Sequence, residues 1–227
     1  MKQWFPFTDY DFYGYLAAGL PVLFALDYSL TGGALLVTGT PTFMQGVLIV
    51  ALAYIVGQII AIPSSVFLEM CVARKILRPP VAVLLSDKAG CRDWIISTLF
   101  VGRYYAPLSE GTRNKIFDLA DREEGLTKAQ IITKPDIIFD AAYRNARKNE
   151  DARKRMDDFR NQYGFARNIT VSCLVAALLL FNRAVADQTA LILAWAAIIL
   201  SAGMFIRFIK FYSCFAGEML KAYAYKD

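Results

Sequence analysis

The chain has 227 residues, 56% of them hydrophobic, a mean hydropathy of +0.38 and a formal net charge of +5, whereas an ordinary soluble domain is about 45 to 50% apolar. That excess points to the membrane. Histidine is absent, which excludes Ser-His-Asp and Cys-His nucleophile systems, His-ligated metals, haem with a histidine ligand and histidine-dependent nucleases.

The polar residues are not spread evenly. Residues 12–70 and 168–206 carry almost no charge, while Arg74 to Arg167 holds 19 of the 25 Lys and Arg against 13 of the 20 Asp and Glu, a net +6. This pattern predicts an all-α membrane protein with four transmembrane helices, two before and two after a helical cytoplasmic insert. The boundaries expected are 1–71 for an N-terminal transmembrane hairpin, 72–166 for the insert, 167–212 for a second hairpin and 213–227 for a helical extension. The N-terminus lacks a basic segment followed by a compact apolar core and a small-residue cleavage site, so the first apolar segment is expected to be retained.

A span needs roughly 20 mainly apolar residues. The first runs from Gly14 to about Val37 and contains Pro21 and Asp27. A carboxylate at a helix centre costs on the order of 3 kcal/mol, so Asp27 has two placements. If the span covers about Tyr10 to Ser29, Asp27 anchors the helix end near Arg183; if it continues to Val37, Asp27 is buried. TGGALLVTGTP, with its glycines, proline and threonines, reads better as a loop, which favours the first placement.

The second span, FMQGVLIVALAYIVGQIIAI from Phe43, places Ala53, Gly57, Ala61 and Ser65 every four residues. Such a stripe lets another backbone approach closely, either a neighbouring span of the same chain or a second copy in a homo-oligomer. Pro63 removes a backbone donor and is expected to kink or loosen the helix, with Ser64 or Ser65 meeting the freed carbonyls. Gln58, Asn182 and Arg183, with Asp27, are the intramembrane polar candidates. Glu69 lies at the cytoplasmic boundary.

After the second span, RPPVAVLLSDKAGCRDWIISTLFVGRYYAPL contains short apolar runs, a Pro-Pro break, a tryptophan and paired tyrosines. It suits either the membrane interface or the core of the cytoplasmic domain. Thr127 and Gln130 form a capping box, with Leu126 and Ile131 as its hydrophobic staple. Helices then follow to about Pro135, from Asp136, and from about Glu150. In the last of these Glu150 with Lys154, Asp151 with Arg155, and Lys154 with Asp158 fall at i, i+4. Its other face carries Met156, Phe159, Tyr163, Ala166, Thr170 and Cys173 at a spacing of three and four that runs unbroken into the third span. One long helix is expected. The fourth span, LILAWAAIILSAGMFI from Leu191, continues into RFIKFYSCFAGEMLKAYAY. The stripe Phe208, Phe211, Phe215, Met219 and Ala222 on that extension is expected to pack antiparallel on Met156, Phe159 and Tyr163.

With uncharged TGTPTF and balanced NRAVADQ on one side and the basic insert on the other, the positive-inside rule places the insert and both termini in the cytoplasm. The junction FRNQYGFARNITVSCLVAALLLF, Phe159 to Phe181, resembles the YGF-x-RN junction of uncharacterised bacterial membrane proteins that share two spans, a helical cytoplasmic insert and two more spans. The resemblance implies a multi-pass bacterial inner-membrane protein and supplies no activity. Arg167 and Asn168 would then sit where the helix meets the headgroups, with Gly164 allowing a bend and Arg160 on the same face as Arg167.

No catalytic set, metal-ligand cluster or cofactor motif is found. The four cysteines, Cys71, Cys91, Cys173 and Cys214, have no CxxC spacing and read as reduced thiols. Neither GxxxxGK[ST] nor GxGxxG occurs, and no nucleic-acid motif is present. The expected partners are the lipid bilayer, further copies of the chain and a cytoplasmic protein encoded nearby. Small four-span proteins with compact inserts also occur in anti-phage and abortive-infection systems, an analogy of architecture. The function expected is a non-enzymatic oligomer that senses or permeabilises the membrane. The alternatives are a small channel or carrier, and a lipid-acting enzyme using carboxylates such as Glu69, Asp87 and Asp93.

Overall fold

The computed structural model describes residues 9–36, 38–40, 42–87 and 105–226. These residues are predominantly helical, with no strand among them. Helix α1 spans Asp9–Thr31 and α2 spans Phe43–Ser64, continuing as a π-helix over Ser65–Ile76. Short α3 (Pro80–Leu84) precedes α4 (Glu110–Glu124), α5 (Lys128–Thr133) and α6 (Pro135–Ala146). The two longest helices are α7 (Glu150–Arg183) and α8 (Gln188–Ala224).

Among the described residues three stretches are long and apolar enough to cross a bilayer: Phe43–Ala73, Glu150–Arg183 and Gln188–Ala224. Helix α1 is not among them, because Asp27, Pro21 and its tyrosines dilute its 23 residues. It also ends at Thr31 rather than near Val37, since two glycines in the left-handed region, Gly32 (φ 77°) and Gly33 (φ 85°), turn the chain where an L side chain would be strained. At Pro63 the expected loosening takes a specific form. The helix carries on but widens to π geometry from Ser65, and the Ser64 and Ser65 hydroxyls donate to the carbonyls of Ile60 (2.6 Å) and Ile62 (2.9 Å).

The chain divides into two compact units, the first made of residues 1–71 and 164–205, the second of residues 72–163 and 206–227. Helices α7 and α8 each contribute one part to either unit. In the first, α1 packs along α2 at backbone contact. A Cβ on Gly19 would overlap the Ala53 carbonyl, and one on Gly57 would overlap the Tyr15 carbonyl. Half of the small-residue stripe, Ala53 and Gly57, is therefore used inside the chain; Ala61 and Ser65 remain half-buried. On its other flank α1 meets α7 and α8 through Ala18 with Ile169 and Cys173, and through Ala25 with Ala176, Leu180 and Ala194. Hydroxyls join these helices by bonding to backbone: Ser172 donates to the Ala18 carbonyl and Ser201 to that of Thr170 at 2.9 Å.

The second unit has a core of larger side chains. Leu84, Ile116, Ile131, Ile138, Met156, Met219 and Leu220 are all buried in it. The Val81–Leu85 run packs into this core; Cys91, Asp93 and Trp94 lie outside the described residues. Gly125 closes α4 in the left-handed conformation (φ 64°), and the Leu126 amide reaches back to the Ala120 carbonyl at 3.1 Å. Thr127 and Gln130 form both bonds of the capping box, with Ile131 buried and Leu126 packed against the core. The stripes of α7 and α8 meet as the spacing predicts. Phe159 stacks on Phe211 with centroids 6.2 Å apart, and Tyr163 lies edge-on to Phe208 and Phe215. Of the i, i+4 pairs, Glu150 with Lys154 forms at 3.2 Å, but Arg155 turns to Glu218 at 2.6 Å. The neighbouring helix offers a less exposed carboxylate than Asp151 does.

Candidate functional site

Asp27 is 8% exposed, yet it stands four residues from the end of α1. Burial and a helix-end position, which the sequence sets against each other, coexist because the following loop folds back over the carboxylate. Thr31 donates its hydroxyl to Oδ1 at 2.6 Å, and the amides of Leu35 and Leu36 donate at 3.3 and 2.8 Å. Three donors satisfy the carboxylate, and in turn they hold the turn over residues 32–36. Arg183 does not go to Asp27. Its Nη1 donates to the Ser29 carbonyl at 3.1 Å, its Nε lies 3.7 Å from Asp187, and the guanidinium sits over the Tyr28 ring.

Asp187 caps α8 through the amides of Thr189 (2.8 Å) and Ala190 (3.4 Å) and accepts from the Tyr28 hydroxyl at 3.0 Å. Partial desolvation raises its pKa, but the Tyr28 hydroxyl, the two amides and Arg183 together hold it below the ordinary carboxylate value. Asn182, exposed, lines a shallow cleft of about 380 Å³ here with Ser29, Arg183 and Asp187. The role of Tyr28 and Asp187 was legible only as one tyrosine and one loop acid, with nothing in their spacing to join them.

A second polar cluster gathers more of the candidates. Arg167 pairs through Nη1 with Glu69 and donates from Nε to the Asn168 side chain at 3.2 Å. Its side chain is 17% exposed and that of Glu69 28%, so the pair is largely removed from solvent and the two charges offset one another. Beside it runs an open groove of about 700 Å³, whose lining includes Tyr15, Tyr54, Gln58, Ala61, Ser65 and Arg167. The half of the small-residue stripe that α1 leaves uncovered is the floor of this groove. Its apolar edge is Ile59 and Ile62. The arrangement offers a guanidinium, an amide and hydroxyls beside aliphatic surface, the chemistry that receives an amphiphile or lines a polar path.

Gly164 lies in α7 with open space around its Cβ position. Arg160 is a surface residue paired with Asp157 at 3.3 Å. Asp87 is exposed and pairs with Lys128 at 3.3 Å. Cys71, Cys173 and Cys214 are free thiols. Among the described residues no three acids or cysteines gather as a metal site. The serines that tie α1, α7 and α8 together, Ser172 and Ser201, were not singled out from the sequence, since a buried serine in an apolar helix carries no spacing signal of its own.

No protein-family model matches the chain, and neither does any curated protein or solved structure.

Proposed function

We propose that this protein is a non-enzymatic, oligomeric bacterial inner-membrane protein in which α1, α2 and the apolar parts of α7 and α8 are four spans, with both termini and the insert in the cytoplasm. The insert couples a signal, or a partner protein encoded nearby, to the membrane part, as a sensor or membrane-permeabilising effector of an anti-phage or abortive-infection system. The single observation that carries the membrane reading is the packing of the first unit, which buries alanine and glycine and turns outward Phe43, Ile59, Ile62, Leu178 and Ile199. That distribution suits lipid, where small residues let helices approach and large aliphatic ones face the acyl chains. Supporting the coupling is the helical run of α7 and α8, each of which supplies residues to both units.

The test is membrane potential, read with a voltage-sensitive dye in bacteria expressing the chain, alongside native mass spectrometry of the detergent-purified protein. Depolarisation together with an oligomer supports the effector reading. An unchanged potential combined with a strict monomer removes it. The groove around Gln58 and Arg167 favours a second reading, a small channel or carrier; loss of ion flux in Gln58→Leu at unchanged protein level would support it, and unchanged flux would take Gln58 out of any path.

A further inference from the structure

The second unit contains a half-open cleft of about 450 Å³, within the range of about 300 to 1,000 Å³ of small-molecule sites. One wall is the start of the 15-residue helix α4. Ser109, its N-cap, makes no side-chain bond to the helix amides; its hydroxyl is 2.8 Å from that of Thr112 instead, and Thr112 in turn lies 3.2 Å from the Tyr225 hydroxyl. The first-turn amides of α4 therefore lack the side-chain acceptor that usually meets them, and the positive end of the helix dipole is left uncompensated by a cap. Opposite is α8, which brings Ser213, Gly217 and Lys221 to the cleft one turn apart.

Ser213 is the second, independent sign. It is 2% exposed and its Oγ has no hydrogen-bond partner, although a buried hydroxyl in a helix can ordinarily bond to a carbonyl of the preceding turn. A buried polar atom left unpaired costs stability, a cost that a bound acceptor would remove. Glu218 also lines the cleft, but Arg155 holds its carboxylate at 2.6 Å, so the charge left over is that of Lys221. Glu110, in the first turn of α4, is exposed and not part of the lining. The remaining walls are apolar, from Leu84, Pro107 and Phe159.

We propose that this cleft binds an organic phosphate, with the phosphate oxygens at the start of α4, the Ser213 hydroxyl and Lys221 as donors, and the organic part against Pro107 and Phe159. A phosphate offers several acceptor oxygens to donors that converge from two helices, and helix N-termini favour such anions. The apolar wall selects against bare phosphate. Binding at the cleft goes beyond the coupling reading and does not depend on it, because it is measured directly on the purified chain.

The experiment is calorimetric titration of the full-length, detergent-purified protein with phenyl phosphate, phenol, inorganic phosphate and short-chain phosphatidic acid. Phenyl phosphate binding more tightly than phenol and inorganic phosphate marks a soluble ester; binding of the phosphatidic acid alone marks a lipid headgroup; either supports the site. Lys221→Gln is expected to weaken binding about tenfold, in keeping with loss of one charge-assisted bond. Gly217→Leu is expected to abolish it by filling the cleft. At Gly217 a Cβ would meet only Leu84 Cδ1 at 3.9 Å, so the first carbon of the new side chain has room, and an unchanged melting temperature is required before loss of binding is read. Lys148→Gln, at an exposed position outside the cleft, is expected to bind as the wild type does. No binding of any phosphate up to about 1 mM, the weak end of specific affinity, would overturn the proposal. So would equal losses in Lys148→Gln and Lys221→Gln, or full binding in Gly217→Leu.

Discussion

The two units of this chain are built on opposite rules. In the first, the buried positions are mostly small, among them Ala18, Ala25, Ala53, Ala177 and Ala194, while Phe43 is 84% exposed and Ile62 71%. In the second, Ile116, Ile131, Ile138, Met219 and Leu220 are inside, and charged residues such as Lys148, Asp151 and Lys154 are outside. Water rewards the burial of large apolar side chains, and the second unit obeys it. On the proposed reading of the first unit as lipid-embedded that reward is absent, and close backbone approach and hydrogen bonds between helices take its place.

The largest effect that would break this comparison is expected from Gly57→Leu. Its side chain would have to displace the α1 backbone at Tyr15, which should cost more than about 3 kcal/mol, the upper end of ordinary overpacking. Loss of monodisperse protein in detergent, with an unfolded α1–α2 pair by thiol accessibility at Cys71, would be the readout. An unperturbed Gly57→Leu protein would mean that the two helices are not in contact as described.

The same isoleucine-to-alanine change should behave differently in the two units. Ile138→Ala, in a fully buried position, is expected to cost about 3 kcal/mol through lost burial and the cavity left behind. Ile59→Ala, at 60% exposure on α2, should move stability in detergent by less than about 0.5 kcal/mol. Thermal unfolding of both variants checks the contrast directly.

Asp27→Ala is expected to cost about 2 kcal/mol, since the carboxylate accepts from Thr31, Leu35 and Leu36 and bonds to a charged acceptor are worth about 1.5 to 3 kcal/mol each at most. Its signature should be local: faster hydrogen exchange over residues 32–40 with little change in the second unit. The smallest effect is that of pH on Asp187. Its folded pKa lies below the ordinary 3.8, so its contribution is fully present above about pH 4 and is lost as pH falls through the lower folded value. Asp187→Asn should flatten the acid limb of the stability curve by that small amount, and a melting-temperature series from pH 6 downward would show it.

Much of the architecture was legible one-dimensionally. The capping box at Thr127 and Gln130, the continuous stripe from Met156 to Cys173 and its match on α8 are local or periodic features, and a helix presents them to a neighbour by geometry alone. Less legible was how polar residues would be satisfied. Asp27 offered two placements because its partners, the amides of Leu35 and Leu36, belong to a loop whose course depends on two glycines with positive φ. Arg155 left its i, i+4 partner for Glu218, which is 63 residues away. The Pro63 site was marked, but whether the helix would bend or widen depended on the serines beyond it.

By itself the sequence determined the apolar segments, their helical periodicity and the small-residue stripe of α2, because hydropathy and a 3.6-residue period are properties of the chain. Only the tertiary structure decided that Ala53 and Gly57 are spent on α1 while Ala61 and Ser65 floor an open groove, that Arg167 pairs with Glu69, and that Ser213 is left without a partner beside the uncapped start of α4. Those outcomes depend on which backbones meet. A side chain's partner is set by proximity in space, and proximity between distant residues is what a single sequence does not encode in its spacing.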